Sequence, residues 1–217
     1  FQRRSYLYNH MYNDLRSFWS RYLSYRWKFG LVLILLFCVP RFIFVLRANV
    51  TGSYQVIGII MFLSAMVPFI FLNRAGRSRM GLKRPGYPPM LWMAMLAGLV
   101  ASMLLYLIGQ WLYGEGEGNW YRYVGRSYMI PEGIAGNDKL ILFAITAGTG
   151  MIFSPIGEEL FFRGIVHAAF ARSLGENRAS LVDSAAFALT HLSHFGLVYT
   201  DQQWKFLVLP ALLWVTA

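Results

Sequence analysis

Ser154-Pro155-Ile156-Gly157-Glu158-Glu159-Leu160-Phe161-Phe162-Arg163-Gly164 sets two adjacent carboxylates and one guanidinium into an otherwise apolar run. Ionisable side chains inside a hydrophobic span cost at least several kcal/mol unless they pair or are hydrated. Helical spacing separates the two glutamates. Glu159 and Arg163 stand four apart in the acid-before-base order that favours pairing on one face. Glu158 lies about 100° round the helix, with its charge not compensated from within the segment. A partly desolvated carboxylate of that kind is what a general base requires. The spacing therefore predicts Glu159 with Arg163 as a structural pair and Glu158 as the reactive group. The alternative is a buried ion-pair knot of all three that only holds helices together.

The rest of the chain supplies the apolar setting. Of its 217 residues, 57% are hydrophobic, 17% aromatic and only 14% charged, against about 25% charged in an ordinary soluble domain. The length suits one domain. The single cysteine, Cys38, rules out an internal disulfide and a thiolate metal cluster. The net charge of +10 flanks apolar segments and forms no separate basic domain, so it reads as a topology signal and not as a nucleic-acid surface.

Hydropathy predicts an all-α, polytopic transmembrane helix bundle of about six spans. These run over 29–46 (interrupted by Pro40 and Arg41), 54–72, 90–113, 139 to beyond 170, 179–198, and a sixth from Trp204, too short to span before Ala217. Together with the first residue, Phe1, that short last run suggests a piece of a longer protein. Pro155 and Gly157 predict a break in the fourth span. Residues 1–28 repeat apolar or aromatic side chains at helical spacing among Arg16, Arg21, Arg26 and Lys28. They read as a basic amphipathic segment on the membrane surface, or equally as an extension packing on the protein itself. Residues 29–217 form the transmembrane domain. Lys and Arg place the N-terminus and the 2–3 and 4–5 loops in the cytoplasm, with the acids Glu115, Glu117, Glu132 and Asp138 on the opposite side.

A second constellation, Phe187-Ala188-Leu189-Thr190-His191-Leu192-Ser193-His194, lies in the fifth span. His191 is about twelve residues, roughly 18 Å, from the cytoplasmic start of that span. Glu158 is about fourteen residues, roughly 21 Å, from the cytoplasmic end of the fourth. Antiparallel neighbours with such offsets can share one water, or a metal with its water. If a metal is bound, His191 and Glu158 are its first candidates. His194 is a further candidate ligand or an interfacial residue, His167 reads as interfacial, and Asp183 as a solvated or capping acid. His10 has no evident partner, and the glycines of Ala147-Gly148-Thr149-Gly150 permit close helix packing.

At these two stretches the chain resembles the CaaX protease and bacteriocin-processing family, the Abi or type II CaaX prenyl endopeptidases. Glu158, Glu159 and Arg163 meet its Glu-Glu-x-x-x-Arg motif, and Phe187 and His191 its Phe-x-x-x-His motif. Pro155, Phe162, Gly164 and the run Gly81-Leu82-Lys83-Arg84-Pro85 are also similar to that family. The likeness covers about residues 80–217. It implies a helical intramembrane endopeptidase acting on a membrane-associated peptide or protein. Glu158 and His191 would activate water, and Glu159 would pair with Arg163. It leaves open a metal-free mechanism or a divalent metal such as zinc. It points to a multi-pass protein of the cell membrane, in a bacterial inner membrane, partnered by lipid and a peptide or protein substrate. The family's third motif, His-x-x-x-Asn or Asp, is missing, because no histidine follows His194. A cut at Ala217 would account for that. The runner-up is a non-catalytic immunity, scaffold or regulatory protein of the same fold. A transporter would also explain midplane charges, but no repeat or matched pair of broken helices supports it.

Overall fold

In the computed structural model the chain is almost entirely helical. The structure describes residues 14–84, 86–116, 118–125, 133–134, 136–148, 150 and 153–216. His10, Glu117, Arg126 and Glu132 lie outside them. The helices are α1 (Trp27–Thr51), α2 (Gln55–Phe71), α3 (Arg74–Arg79), α4 (Pro89–Tyr113), α5 (Trp120–Gly125), α6 (Gly136–Gly148) and α7 (Ser154–Glu158). A π-helical segment, Glu159–Val166, follows, then α8 (His167–Leu174) and α9 (Glu176–Phe195). Strands β1 (Leu197–Thr200) and β2 (Gln203–Phe206) precede α10 (Val208–Thr216).

Two of these helices, α1 and α4, are long and apolar enough to cross a membrane, while α2 is apolar but only 17 residues long. The expected six-span bundle is thus not seen among the described residues. The run expected as a fourth span divides into α6, α7, the π segment and α8. Pro155, expected with Gly157 to break or kink this run, sits in the first turn of α7. Where the fifth span was to end and the sixth to begin, β1 and β2 form an antiparallel hairpin pairing Leu197 with Phe206 and Thr200 with Gln203. Its two turn residues, Asp201 and Gln202, both have positive φ, the geometry whose twist matches paired strands.

The chain divides into two compact units. The first comprises residues up to Arg41, Gln55–Lys83 and Gly150–Thr190. Its core joins α1, α2, the π segment and α8 through Phe29, Leu33, Val67, Phe161, Ile165 and Phe170. The π segment has a legible cause. Buried side chains recur at Phe161, Ile165 and Ala169, and again at Phe162, Val166 and Phe170. That interval of four exceeds the 3.6 residues of an α-helical turn, so a regular helix would carry the row off the core. The wider i→i+5 turn keeps it there, and such turns occur often at functional sites.

Residues 14–26 do not form the expected continuous amphipathic helix. Leu15 bridges Leu72, the Arg16 N–H donates to Phe71 O at 2.9 Å, and the Asn73 N–H donates to Asp14 O at 2.9 Å. Only a 3₁₀ turn, Trp19–Arg21, follows. The segment packs on the protein as a strap, the second of the two sequence readings. Its buried Asp14 carboxylate takes both Arg79 and Arg172, and Arg172 lies 4.7 Å over the Tyr25 ring. An isolated helix of this length would be marginal, so these tertiary bonds prevail.

Two glycines separate close approach from slack. A Cβ on Gly76 would stand 2.5 Å from the Asp14 carbonyl oxygen, and one on Gly164 only 2.4 Å from the Met80 methyl. Backbone cannot yield as a methionine tip can. Gly76→Ala is expected to cost about 1–3 kcal/mol as overpacking and to speed proteolysis of residues 14–26. Gly164→Ala should be near neutral because alanine favours the helix and Met80 can swing. Equal stabilities in chemical unfolding would refute this contrast.

The second unit comprises Phe42–Tyr54, Arg84–Thr149 and the residues from His191 onward. Only Gly109 of α4 is buried. Around it, Trp120 packs 3.2 Å from where a Cβ would stand on Gly109, and fully buried Asn119 donates to Gly114 O at 2.8 Å. Asn49 donates to Ser193 O at 2.8 Å and accepts from the Tyr54 hydroxyl at 2.9 Å. The Leu207 N–H donates to Gly196 O, closing the base of the hairpin.

Candidate active site

The motif glutamates sit at a change of helix type. Glu158 ends α7, and Glu159 opens the π segment. Helix α2 packs along both, closely enough that a Cβ on Gly157 would lie 3.2 Å from Ala65 Cβ. This fixes the backbone directly before Glu158.

The ion pair differs from the expected one. Among the described residues no ion pair joins Glu159 to Arg163, and both are exposed. The arginine that binds a motif carboxylate comes instead from α1. Arg41 Nη2 donates to Glu158 Oε1 at 2.6 Å, with the two side chains only 9% and 16% exposed. The α-helical i, i+4 rule presumes a regular α-helix, and the 159–163 interval runs in the wider π turn. Sequence reading met Arg41 only as an interruption of the first span. The signal was available: a guanidinium in an apolar helix needs a counter-charge, and the adjacent glutamates were the acids in apolar surroundings.

Glu158 borders two spaces. A small one of about 10 Å³ is lined by Cys38, Arg41, Ser64, Phe161 and Phe162 besides Glu158. A larger cavity of about 190 Å³ is lined by Pro155, Glu158, Glu159, Phe162, Arg163 and Phe187. The structure thus gathers Glu158, Glu159 and Arg163 around one cavity with Phe187 of the second motif. Phe162 and Phe187 meet edge to face at 5.3 Å.

His191 is buried on α9, one helical turn after Phe187 and therefore on the same helix face. It is the first residue of the last segment of the second compact unit. The His194 ring lies 6.4 Å from that of His191. Asp183, expected as a solvated or capping acid, is not solvated. Asp183 is buried, and its Oδ2 lies 2.8 Å from His167 Nδ1. His167 Nε2 lies 2.9 Å from Glu176 Oε2. Since a neutral imidazole has one N–H, the imidazolium alone can donate to both. This cluster ties α8 to α9. Among the described residues, no group of three or more His, Cys, Asp or Glu side chains is placed to hold a metal ion.

A half-buried, arginine-held carboxylate facing a cavity, in a mostly helical protein with two helices able to cross a membrane, marks a candidate active site in an apolar scaffold. Residues 140–217 match the family model described as Rce1-like, type II CAAX prenyl endopeptidase Rce1-like, which is the family that the two motifs resemble. The matched part contains both motifs and supports protease activity in general. No curated protein and no solved structure matches the chain.

Proposed function

We propose that the protein is an intramembrane endopeptidase that hydrolyses a peptide bond in a membrane-associated peptide or protein. The observation that carries this reading is Glu158, which borders a cavity of about 190 Å³ inside the stretch that matches an endopeptidase family. Glu158 acts as the base: its carboxylate takes a proton from water, and the oxygen attacks the carbonyl carbon. The same carboxyl returns the proton to the leaving amine as the C–N bond breaks. His191 shares the water, and Glu159 and Arg163 line the approach. A divalent metal such as zinc, held by His191 and Glu158, would serve as a Lewis acid; the gathered donors give it no further support. The substrate class follows the family's description, a C-terminal CaaX segment carrying a prenyl group. Helices α1 and α4 support placement in the cell membrane. The N-terminus is cytoplasmic by the distribution of Lys and Arg, and residues 14–28 face lipid headgroups with exposed Phe18, Tyr22 and Trp27.

The Arg41–Glu158 pair also favours a second reading, a non-catalytic protein in which that pair holds helices together. The two are separated by profiling peptide termini in membranes from cells making the wild type, Glu158→Gln or His191→Ala. The protease reading expects cleavage products that vanish in both variants while the protein stays in the membrane. Identical profiles would sink it and leave the scaffold reading.

A further inference from the structure

We infer that Arg41 is a positioning residue of this site, holding the Glu158 carboxylate in place through one of its two oxygens. The inference rests on the proposed role of Glu158 as base. It adds a residue that lies outside both sequence motifs, 117 positions from Glu158.

Three observations carry it. The contact is short, Arg41 Nη2 to Glu158 Oε1 at 2.6 Å, in the range of charge-assisted bonds. It is shielded, since neither side chain is more than 16% exposed. Finally, the two spaces around Glu158 are lined differently. Arg41 lines the small one with Cys38 and Ser64, whereas the 190 Å³ cavity is lined by Glu158, Glu159 and Arg163 and not by Arg41. Arg41 therefore acts through Glu158 and not on the substrate.

The scaffold for this contact is local. Arg41 follows Pro40 inside α1, and the Phe37 ring, one turn earlier, packs at 5.3 Å on Phe161. Phe161 stands in the π segment two residues after Glu159. The two helices are thus clamped by aromatic packing one turn from the ion pair. The contact removes one rotational choice from Glu158, because one oxygen is engaged.

The test uses the full-length protein in its own membranes. Unfolding midpoints of Arg41→Gln, Glu158→Gln and the double variant report the contact: the double variant is expected to lose less than the two single losses added together. In parallel, a quenched fluorescent farnesylated CaaX peptide gives the kinetics. Arg41→Gln should lower kcat roughly 10–100-fold, as loss of an orienting partner does, with KM unchanged.

Additive stability losses, or an unaltered kcat in Arg41→Gln, overturn the inference. Should Arg41→Gln not reach the membrane, Arg41→Lys carries the test. Lysine loses the planar fork of donors, so a lowered kcat at unchanged KM supports positioning and a wild-type kcat overturns it. Glu158→Gln, run alongside, isolates the parent reading: full activity there removes Glu158 as base whatever Arg41 does. The unfolding arm needs no substrate and judges the Arg41 contact separately.

Discussion

Glu158→Gln is expected to slow peptide hydrolysis about 10²–10⁴-fold, the usual contribution of a general base, with the protein still folded in the membrane. Glutamine has nearly the shape of glutamate, and its amide oxygen can still accept from Arg41. What it loses is the ability to take a proton from water. KM should hold, because the cavity walls at Pro155, Phe162, Arg163 and Phe187 are untouched. The exchange also leaves the guanidinium of Arg41 facing a neutral partner. Breaking one side of a well-buried ion pair costs about 3–5 kcal/mol, and the residual exposure of both side chains reduces that. Rates must therefore be expressed per folded molecule, with thermal unfolding in the same detergent as the control. Glu158→Asp sharpens the result: it keeps the carboxylate but shortens its reach, so a large loss there reports geometry. A Glu158→Gln rate within about tenfold of wild type would mean that another group is the base.

Phe161→Ala should be the most damaging change to stability, about 3–5 kcal/mol for a fully buried aromatic. Phe161 is 1% exposed. Its ring meets Phe37 of α1 at 5.3 Å and Phe162 at 5.1 Å, both edge to face. Truncation would open a cavity in the first unit and forfeit both ring contacts. Because Phe161 also borders the small space beside Arg41 and Glu158, the loss should extend to activity even where the variant folds. Phe161→Leu should recover most of the stability, since the branched side chain refills part of the volume. Unfolding midpoints for the three proteins decide the matter; an alanine variant as stable as the leucine one would refute the packing argument.

Much of this molecule is legible as local pattern. The apolar runs that become α1, α2 and α4 lie within a few residues of their expected ends, because helical stretches that long carry their own signal. The spacing of Phe161, Ile165 and Ala169 against Phe162, Val166 and Phe170 even contains the cause of the π segment, although the pattern was read as ordinary helix. Apolar content misled at the C-terminal end. Leu197-Val198-Tyr199-Thr200 is as hydrophobic as a helix start, but β-branched and aromatic residues flanking Asp201-Gln202 form a hairpin. The strap failed for a related reason. Helical spacing at Leu15, Phe18 and Tyr22 is a weak preference, and the backbone bonds of residues 14–16 to residues 71–73 outweigh it.

The site divides along the same line. The two adjacent glutamates, Arg163, and Phe187 with His191 one turn later are short-range features, so the residue order alone picks them out as candidates. Which carboxylate meets which arginine is a different kind of fact. Local spacing offered Arg163 to Glu159, while the folded chain brings Arg41 to Glu158. The reason is physical: a charge in an apolar setting gains most from whichever opposite charge shares its buried space, and that neighbour is set by how α1, α2 and the π segment pack, not by distance along the chain.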